Sequence, residues 1–185
     1  DTDRSRGLGD VYKRQIMGGS RIAIRISSYA PDNMAIKLIE CDKQKSYKLA
    51  EYMNDIIIIQ GDGRNVDLLK EEGIRDMDAF IALTDSSETN ILACLTAKEL
   101  GVKKTIAEVE NIQFISTAER LNIGNIINKK LLAASRIFQL LLDEDSSNAK
   151  CLALSDAEVV ELVAKENSKI TKAAVKDLKL PSDLT

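Results

Sequence analysis

The sequence predicts a doubly wound α/β domain, a parallel sheet with helices on both faces, followed by a truncated α+β module. Three observations support this prediction. Short apolar runs alternate with amphipathic segments from residue 11 onward, and the loops between them are short. One run, DIIIIQ at 55–60, is continuous and β-branched, which is typical of a strand buried on both faces. Strands that alternate with helices in this way form parallel sheets.

Six strands are expected in the first part of the chain, and the first is weak because its middle is polar. Their ranges are 11–17, 35–40, 55–60, 78–83, 103–110 and 125–127. The apolar spacing between them predicts helices over 21–29, 43–53, 65–73, 86–100, 112–122 and from 129 to about 142. For the helix that begins at 86 we expect Asp85 as the N-cap, Glu88 as the partner in a capping box, and Gly101 as the stop.

The two ends of the chain depart from this pattern. Residues 1–15 are polar, Arg-rich and interrupted by glycine, so we expect a non-native or disordered leader, with the first domain at 16–142. The DEDSSN segment at 143–148 is predicted to be an acidic linker. Residues 149–185 are expected to be the start of a second module, with one or two antiparallel strands in 151–164 and a short helix from Lys169.

The composition excludes several classes of function. A net charge of −3 gives no electrostatic reason to expect nucleic acid as a partner. Three widely spaced cysteines without a secretory signal indicate reduced thiols in a cytosolic protein, and their spacing does not suit a metal site. The chain contains no histidine, which removes the commonest general base and metal ligand. No catalytic residue is therefore predicted.

The stretch IMGGSRIA, residues 16–23, resembles an incomplete dinucleotide-binding turn. Gly18 takes the first glycine position of G-x-G-x-x-G, but Ser20 and Ala23 stand at the second and third. Gly18 allows a sharp bend from strand to helix, and the helix N-terminus offers N–H groups to phosphate. Alone, this turn is about as consistent with an empty strand-to-helix connection as with a ligand site.

Three other features fall at the carboxyl ends of predicted strands, where doubly wound sheets bind ligands. Glu40 follows Gly18 by 22 positions, where a carboxylate accepts hydrogen bonds from ribose hydroxyls and repels the 2′-phosphate of NADP. Asp62 lies in the glycine-flanked GDGRN segment, and Thr84 and Asp85 follow the fourth strand. Each also has a plainer explanation, as a solvated strand-end acid, a turn or a helix cap. Their coincidence at one rim favours a nucleotide cleft.

Several longer segments resemble the RCK (KTN) domains of TrkA-type potassium uptake regulators. The most specific are GDGRNVDLLKEEGI, DMDAFIALTDSSETNI and INKKLLAASRIFQLL. The resemblance covers residues 16–142 as an RCK N-terminal domain with a Rossmann-like fold and 149–185 as part of an RCK C-terminal domain, most like the second of two tandem units. It implies a cytosolic subunit, peripheral on the inner face of the plasma membrane, that binds NAD(H) or alternatively ATP/ADP and gates a membrane potassium translocator.

The resemblance also implies roles for individual residues. It assigns Glu40 to the ribose, Asp62 to the adenine, and Thr84 and Asp85 to the phosphate side. The phosphate turn would consist of Gly18, Gly19, Ser20, Arg21 and Ile22. Ser20 and Ala23 depart from the family's fuller glycine pattern and weaken this site.

Two alternatives remain open beside a ligand-binding regulator. The first is a degenerate RCK repeat that binds no ligand and acts as an assembly scaffold. The second is an NAD-dependent oxidoreductase, which is disfavoured because the chain has no histidine and no Tyr-x-x-x-Lys arrangement. RCK-like units assemble as tandem repeats or homo-oligomers. The last helix is apolar nearly all around, so we expect it to cross over and pack on a neighbouring protomer; its apolar residues are Leu131, Leu132, Ile137, Phe138 and Leu141.

Overall fold

The computed structural model describes residues 11–141, 146–151, 158–162, 164, 166 and 168–174. Its strands are β1 (Tyr12–Met17), β2 (Met34–Glu40), β3 (Ile57–Gln60), β4 (Ala79–Ala82), β5 (Lys104–Glu108), β6 (Asn125–Ile127), β7 (Ser146–Cys151) and β8 (Glu158–Leu162). Its α-helices are α1 (Arg21–Ser28), α2 (Lys43–Tyr52), α3 (Val66–Glu71), α4 (Ser87–Glu99), α5 (Ile115–Arg120) and α6 (Lys129–Leu141). Short 3-10 turns span Ile74–Asp76, Ile112–Phe114 and Lys169–Thr171. The chain divides into two compact units, residues 1–130 and 131–185.

The first unit contains a six-stranded parallel sheet in the order β3-β2-β1-β4-β5-β6. This order confirms the predicted doubly wound, Rossmann-like fold. The chain proceeds outward from β1 to β2 and β3, then returns to β4 on the other side of β1. The carboxyl ends of β1 and β4 therefore flank the point at which the strand order reverses, and ligands bind at this point in open α/β sheets.

A cluster of aliphatic side chains fixes α1 and α2 against the central strands. Ile16 of β1 and Leu38 of β2 are fully buried and pack with Ala23 of α1 and Leu49 of α2. Because successive side chains of a strand point to opposite faces, Gln15 lies on the other face from Ile16. Gln15 is also fully buried, and neither of its side-chain polar atoms has a hydrogen-bond partner. Strand β1 thus places Gln15, a polar residue of the 1–15 segment without a hydrogen-bond partner for its side chain, in the middle of the sheet.

The isoleucine run forms a strand, as predicted, but the prediction that this strand is buried on both faces was wrong. The strand itself exists as Ile57–Gln60, but Ile57 is 57% exposed and no residue of β3 is buried. The reason is strand order, because β3 is at an edge of the sheet and pairs only with β2. The fully buried strand is β4, all four of whose residues are buried.

The second unit contains an antiparallel pair, β7 and β8, with a register shift between Ser146 and Asn148. The expected antiparallel strands are present, but β7 begins at Ser146 and occupies part of the segment that we predicted to be a linker. The predicted helix from Lys169 is only a 3-10 turn over Lys169–Thr171, and its continuation lies outside the described residues. Helix α6 has no buried residue, and its exposed apolar side chains include Leu132, Ile137, Leu140 and Leu141.

Candidate functional site

A cavity of about 380 Å³ opens at the carboxyl ends of β1 to β4. Six of the nine residues predicted from sequence line it, namely Gly18, Ser20, Glu40, Asp62, Thr84 and Asp85. Of the other three, Gly19 does not line the cavity, and Arg21 and Ile22 line a shallow apolar groove beside α1. The residues that sequence analysis did not predict include Lys45, Arg64 and Thr89. The fold therefore brings side chains from four strand ends to one rim.

The turn after β1 requires glycine at two consecutive positions. Gly18 has a φ of 95°, and a Cβ on it would lie 3.0 Å from the Leu83 carbonyl group and from Thr84 Cγ2. A Cβ on Gly19 would collide with the side chain of Leu49 and come within 2.9 Å of Glu40 Oε2. Strand β1 can thus approach β4 and α2 closely only because these two residues have no side chain.

Ser20 is the N-cap of α1, and its Oγ accepts a hydrogen bond from the Ala23 N–H at 3.3 Å. In the described part of the chain, no acceptor binds the main-chain N–H groups of Ser20, Arg21 or Ile22. These donors lie at the positive end of the helix dipole, an arrangement that binds phosphate in many folds. Arg21 and Ile22 do not line the cavity, so only their unbound main-chain N–H groups relate them to the predicted phosphate turn.

Glu40 is nearly buried, with 4% of its surface exposed, and its carboxylate is already well occupied. Oε2 accepts the Gly19 N–H at 2.8 Å and lies 2.9 Å from Lys45 Nζ, while Oε1 accepts the Asp42 N–H at 2.9 Å. Burial raises the pKa of Glu40, but the hydrogen bonds from Asp42, Lys45 and Gly19 outweigh it and hold the pKa below its ordinary value. The carboxylate is therefore ionised at neutral pH and ties the glycine turn to the start of α2.

Asp62 is held by the residue two positions further along the chain. The Arg64 guanidinium donates to both of its carboxylate oxygens, with Nη2 at 2.7 Å from Oδ2, and the Arg64 N–H donates to Oδ1 at 2.9 Å. The side-chain hydrogen bond from Arg64 is the main reason that the pKa of Asp62 is lowered. Arg64 itself remains largely exposed on the cavity rim.

Asn90 of α4 holds the loop after β4 in place, and sequence analysis did not identify it. Its Oδ1 accepts the Thr84 N–H at 3.0 Å and the Thr84 hydroxyl at 2.6 Å. Its Nδ2 donates to the Thr84 carbonyl at 2.9 Å and to the Glu108 carbonyl at 2.8 Å. Because Asn90 is fully buried, it joins the ends of β4 and β5 without solvent competition. The available signal was a polar residue in the first turn of α4, one position before the apolar residues of the buried face.

The prediction that Asp85 caps α4 was wrong. The N-cap is Ser86, whose Oγ accepts the Thr89 N–H at 3.1 Å and also contacts Glu88 Oε2 at 3.2 Å. The helix thus begins one residue later than expected, and Asp85 is left exposed in the cavity wall. Within the described ranges, its carboxylate has neither a hydrogen-bond donor nor an ion-pair partner.

A second polar cluster lies at the carboxyl end of β5. Glu108 is 3% exposed, and its Oε1 lies 2.6 Å from Lys129 Nζ at the first residue of α6. The same Nζ lies 2.9 Å from Glu110 Oε1. The hydrogen bonds that Lys129 donates to the two carboxylates, Glu108 first, raise the pKa of Lys129, and the same contact is the main reason that the pKa of Glu110 is lowered. The Lys129–Glu108 pair was not predicted, because the sequence gives no sign that Glu108 is buried.

The described residues offer little for covalent or metal chemistry. Cys41 and Cys94 are free thiols, and burial is the main cause of a raised pKa in both, to about 12 for Cys94. Thiols with raised pKa values are poor nucleophiles at neutral pH. In this part of the chain no group of three or more His, Cys, Asp or Glu residues could hold a metal ion. Nor is any of its helices long and apolar enough to cross a membrane.

A cavity at the reversal point of a doubly wound sheet, with a glycine turn and a carboxylate after β2, is the arrangement of a nucleotide-binding regulatory domain or a dehydrogenase. Residues 15–129 match the model of the TrkA-N domain family. The chain belongs to this family. It is 32% identical to the Trk system potassium uptake protein TrkA of Vibrio alginolyticus over 96% of its own length. It spans only 40% of that relative.

Solved structures with the same fold include two of GsuK. One, the GsuK channel bound to NAD, has a TM-score of 0.59 at 15% identity and covers 68% of this chain and 23% of that one. Another, GsuK bound to ADP, has a TM-score of 0.57 at 16% identity and covers 74% of this chain and 38% of that one. The sequence prediction that this chain is not an enzyme agrees with the TrkA name, which is of a potassium uptake protein.

Proposed function

We propose that this chain is the sensing part of a cytosolic regulator, peripheral on the inner face of the plasma membrane, in a Trk- or Ktr-type potassium uptake system. It binds NAD(H), or alternatively ATP or ADP, in the β1–β4 cavity and gates a membrane potassium translocator. The similarity to TrkA and the NAD and ADP complexes of GsuK support this proposal. No nucleic acid is involved.

The observation that carries the proposal is the set of free donors at the start of α1. The N–H groups of Ser20, Arg21 and Ile22 are unused, the turn before them contains Gly18 with a positive φ, and Gly18 and Ser20 line the cavity. A diphosphate or pyrophosphate would satisfy these donors and the helix dipole together. Glu40 would receive ribose hydroxyls through whatever acceptor capacity its carboxylate has left.

Binding at this rim would reach the start of α6 through a short chain of contacts. Thr84 faces the cavity and is held by Asn90, and Asn90 donates to the carbonyl of Glu108. The Glu108 carboxylate in turn holds Lys129, with which α6 begins. A ligand can drive a conformational change only if it binds two states with different affinity. The contacts between Thr84 and Lys129 would provide a path along which such a difference acts.

One observation favours the alternative, a repeat that binds no ligand and serves as a scaffold. The Gly19 N–H and most of the Glu40 carboxylate are already satisfied within the protein, which leaves fewer groups for a nucleotide. The exposed apolar residues of α6 suit assembly with a tandem repeat or a second copy of the chain in either case. Sedimentation over a concentration series tests that part, and a monomer at every concentration contradicts it.

A thermal-shift panel with NAD, NADH, NADP, ATP and ADP on the 185-residue chain tests the proposed function. A ligand that binds only the native state raises the melting temperature. At a ligand concentration of one hundred times its Kd, the free energy of unfolding rises by about 2.7 kcal/mol. We expect a rise with NAD, NADH or an adenine nucleotide. The exposed Glu51→Ala variant, on α2 and outside the cavity lining, is the matched control and should show the same rise. A panel without any shift in the unmodified chain supports the scaffold and overturns the sensor.

A further inference from the structure

The charged groups of the cavity are unevenly distributed. On the side formed by β2 and β3, each carboxylate has a cation, since Glu40 pairs with Lys45 and Asp62 with Arg64. On the side formed by the loop after β4, Asp85 lines the wall without a partner among the described residues. No other cation than Lys45 and Arg64 belongs to the described lining. The cavity thus has one neutralised half and one half with an uncompensated negative charge.

The two halves correspond to different parts of a dinucleotide. In doubly wound folds the ribose nearest the carboxylate after β2 belongs to the adenosine, and the pyrophosphate crosses at the first turn. The adenosine of a bound dinucleotide would therefore lie toward Glu40 and Asp62. The other nucleoside would extend past Gly18 toward the carboxyl end of β4, where Thr84 and Asp85 line the cavity. Asp85 is the charged residue that lines this side of the cavity within the described part of the chain.

We propose that Asp85 sets a preference for the oxidised nicotinamide dinucleotide over the reduced one, a proposal that rests on the proposed function. The nicotinamide ring of NAD+ carries a positive charge, which is absent in NADH. A carboxylate beside that half stabilises the charged ring and gives the uncharged ring no such gain. The same carboxylate repels a ligand that ends in phosphate at this point, as ADP does. One residue would therefore distinguish the oxidised from the reduced cofactor by affinity.

Asp85 has no other evident task in the fold. Ser86 caps α4 in its place, and Glu88 supplies the acidic residue of the first turn that complements the helix dipole. The removal of its charge should therefore leave the fold intact. Asp85→Asn is the conservative change, because it keeps the shape of the side chain.

The test measures the Kd of NAD+, NADH and ADP for three proteins, the unmodified chain, Asp85→Asn and the control Asp55→Asn. Asp55 is exposed and precedes β3, so it lies at the end of the sheet opposite to the cavity. Its substitution by asparagine changes the net charge by the same amount as Asp85→Asn. We expect the unmodified chain and the control to prefer NAD+ by about threefold, the size of an exposed charge interaction. In Asp85→Asn the preference should disappear, and ADP should bind about two- to threefold more tightly.

The outcomes separate this proposal from the function on which it rests. If the unmodified chain binds dinucleotides and Asp85→Asn leaves the NAD+ to NADH ratio unchanged, the proposal is overturned while the sensor function stands. Equal loss of affinity for all three ligands in Asp85→Asn assigns the residue a structural role and also overturns it. If the unmodified chain binds no nucleotide, both are wrong. Asp85 is supported as the selecting residue only if Asp85→Asn removes the preference for NAD+ over NADH and also tightens the binding of ADP.

Discussion

The main-chain N–H of Gly19 donates a hydrogen bond to Glu40 Oε2 at 2.8 Å, in a buried contact between the turn after β1 and the end of β2. Two residues predicted as separate ligand contacts are therefore partners of one another. Glu40 fixes the turn in the shape that leaves the next three N–H groups free. If the proposed nucleotide site is correct, Glu40 would act on it through the turn as well as through the ribose.

Glu40→Ala should weaken NAD binding by about 1–3 kcal/mol, the cost of leaving buried hydrogen-bonding groups unpaired. It should also narrow the difference between NAD and NADP, since NADP is expected to bind more weakly while the carboxylate is present. Calorimetry with both ligands measures the two effects. Glu51→Ala, an exposed change on α2, is the control. Equal binding of NAD and NADP by the unmodified chain would remove Glu40 from the ribose subsite.

Stability should fall in acid in a way that depends on Glu40. Its pKa in the folded state lies below the ordinary value of about 4.3, so its ionised form stabilises the fold above that pH. That contribution is lost as the pH falls through the folded-state pKa. Glu40→Gln should therefore cost about 1–3 kcal/mol at pH 7 and progressively less below about pH 4. Urea unfolding at a series of pH values measures the difference, and a difference independent of pH contradicts the assignment.

Ser20→Gly should increase nucleotide affinity. The change removes the side chain where the main chain approaches a pyrophosphate, and it costs only a few tenths of a kcal/mol as a helix cap, since glycine is a tolerated N-cap. A tighter ligand should also produce a larger ligand-induced change in small-angle scattering. Ser28→Gly, at the other end of α1, is the control for helix stability. If Ser20→Gly leaves both affinity and scattering unchanged, the scaffold alternative is the better one.

Asn90→Asp should destabilise the domain by about 2–4 kcal/mol. The change removes the donor to two carbonyl groups, those of Thr84 and Glu108, and buries a charge beside them. Because Thr84 lies on the rim, Asn90→Asp should also weaken nucleotide binding at temperatures where the variant is folded. Chemical unfolding and calorimetry measure the two effects, with the exposed Asn54→Asp as the control. Stability equal to that of the control would show that Asn90 does not organise the rim.

Gln15→Ile should stabilise the domain by about 1–3 kcal/mol. Gln15 is fully buried in the central strand with both polar atoms unpartnered, and such groups pay a desolvation cost without a compensating hydrogen bond. Isoleucine is β-branched and suits a strand that is covered on both faces. Thermal unfolding of the variant measures the gain. A melting temperature at or below that of the unmodified chain contradicts the assignment of Gln15 as an uncompensated polar residue in the core.

The sequence determined the class of fold and the location of the candidate site. Strand and helix periods are local properties, and so are the residues at which each strand stops. In a parallel sheet, the carboxyl ends of all strands lie on the same side of the sheet. The sequence alone therefore assigned four residues to one rim, namely Gly18, Glu40, Asp62 and Thr84. The alternation of strands and helices was sufficient for that assignment.

Only the tertiary structure decided which of these groups are free and which are already used. The order of the strands follows from contacts between distant segments, so the isoleucine run could not be recognised as an edge strand from its composition. Hydrogen bonds such as those from Gly19 to Glu40 and from Asn90 to Glu108 join residues about 20 positions apart, and no local pattern encodes them. The choice of Ser86 rather than Asp85 as the N-cap of α4 rests on local contacts with Glu88 and Thr89 that the sequence did not distinguish, and it leaves a carboxylate in the cavity wall. A side chain's partners depend on the packing of the whole domain, whereas its place along a strand depends only on its neighbours.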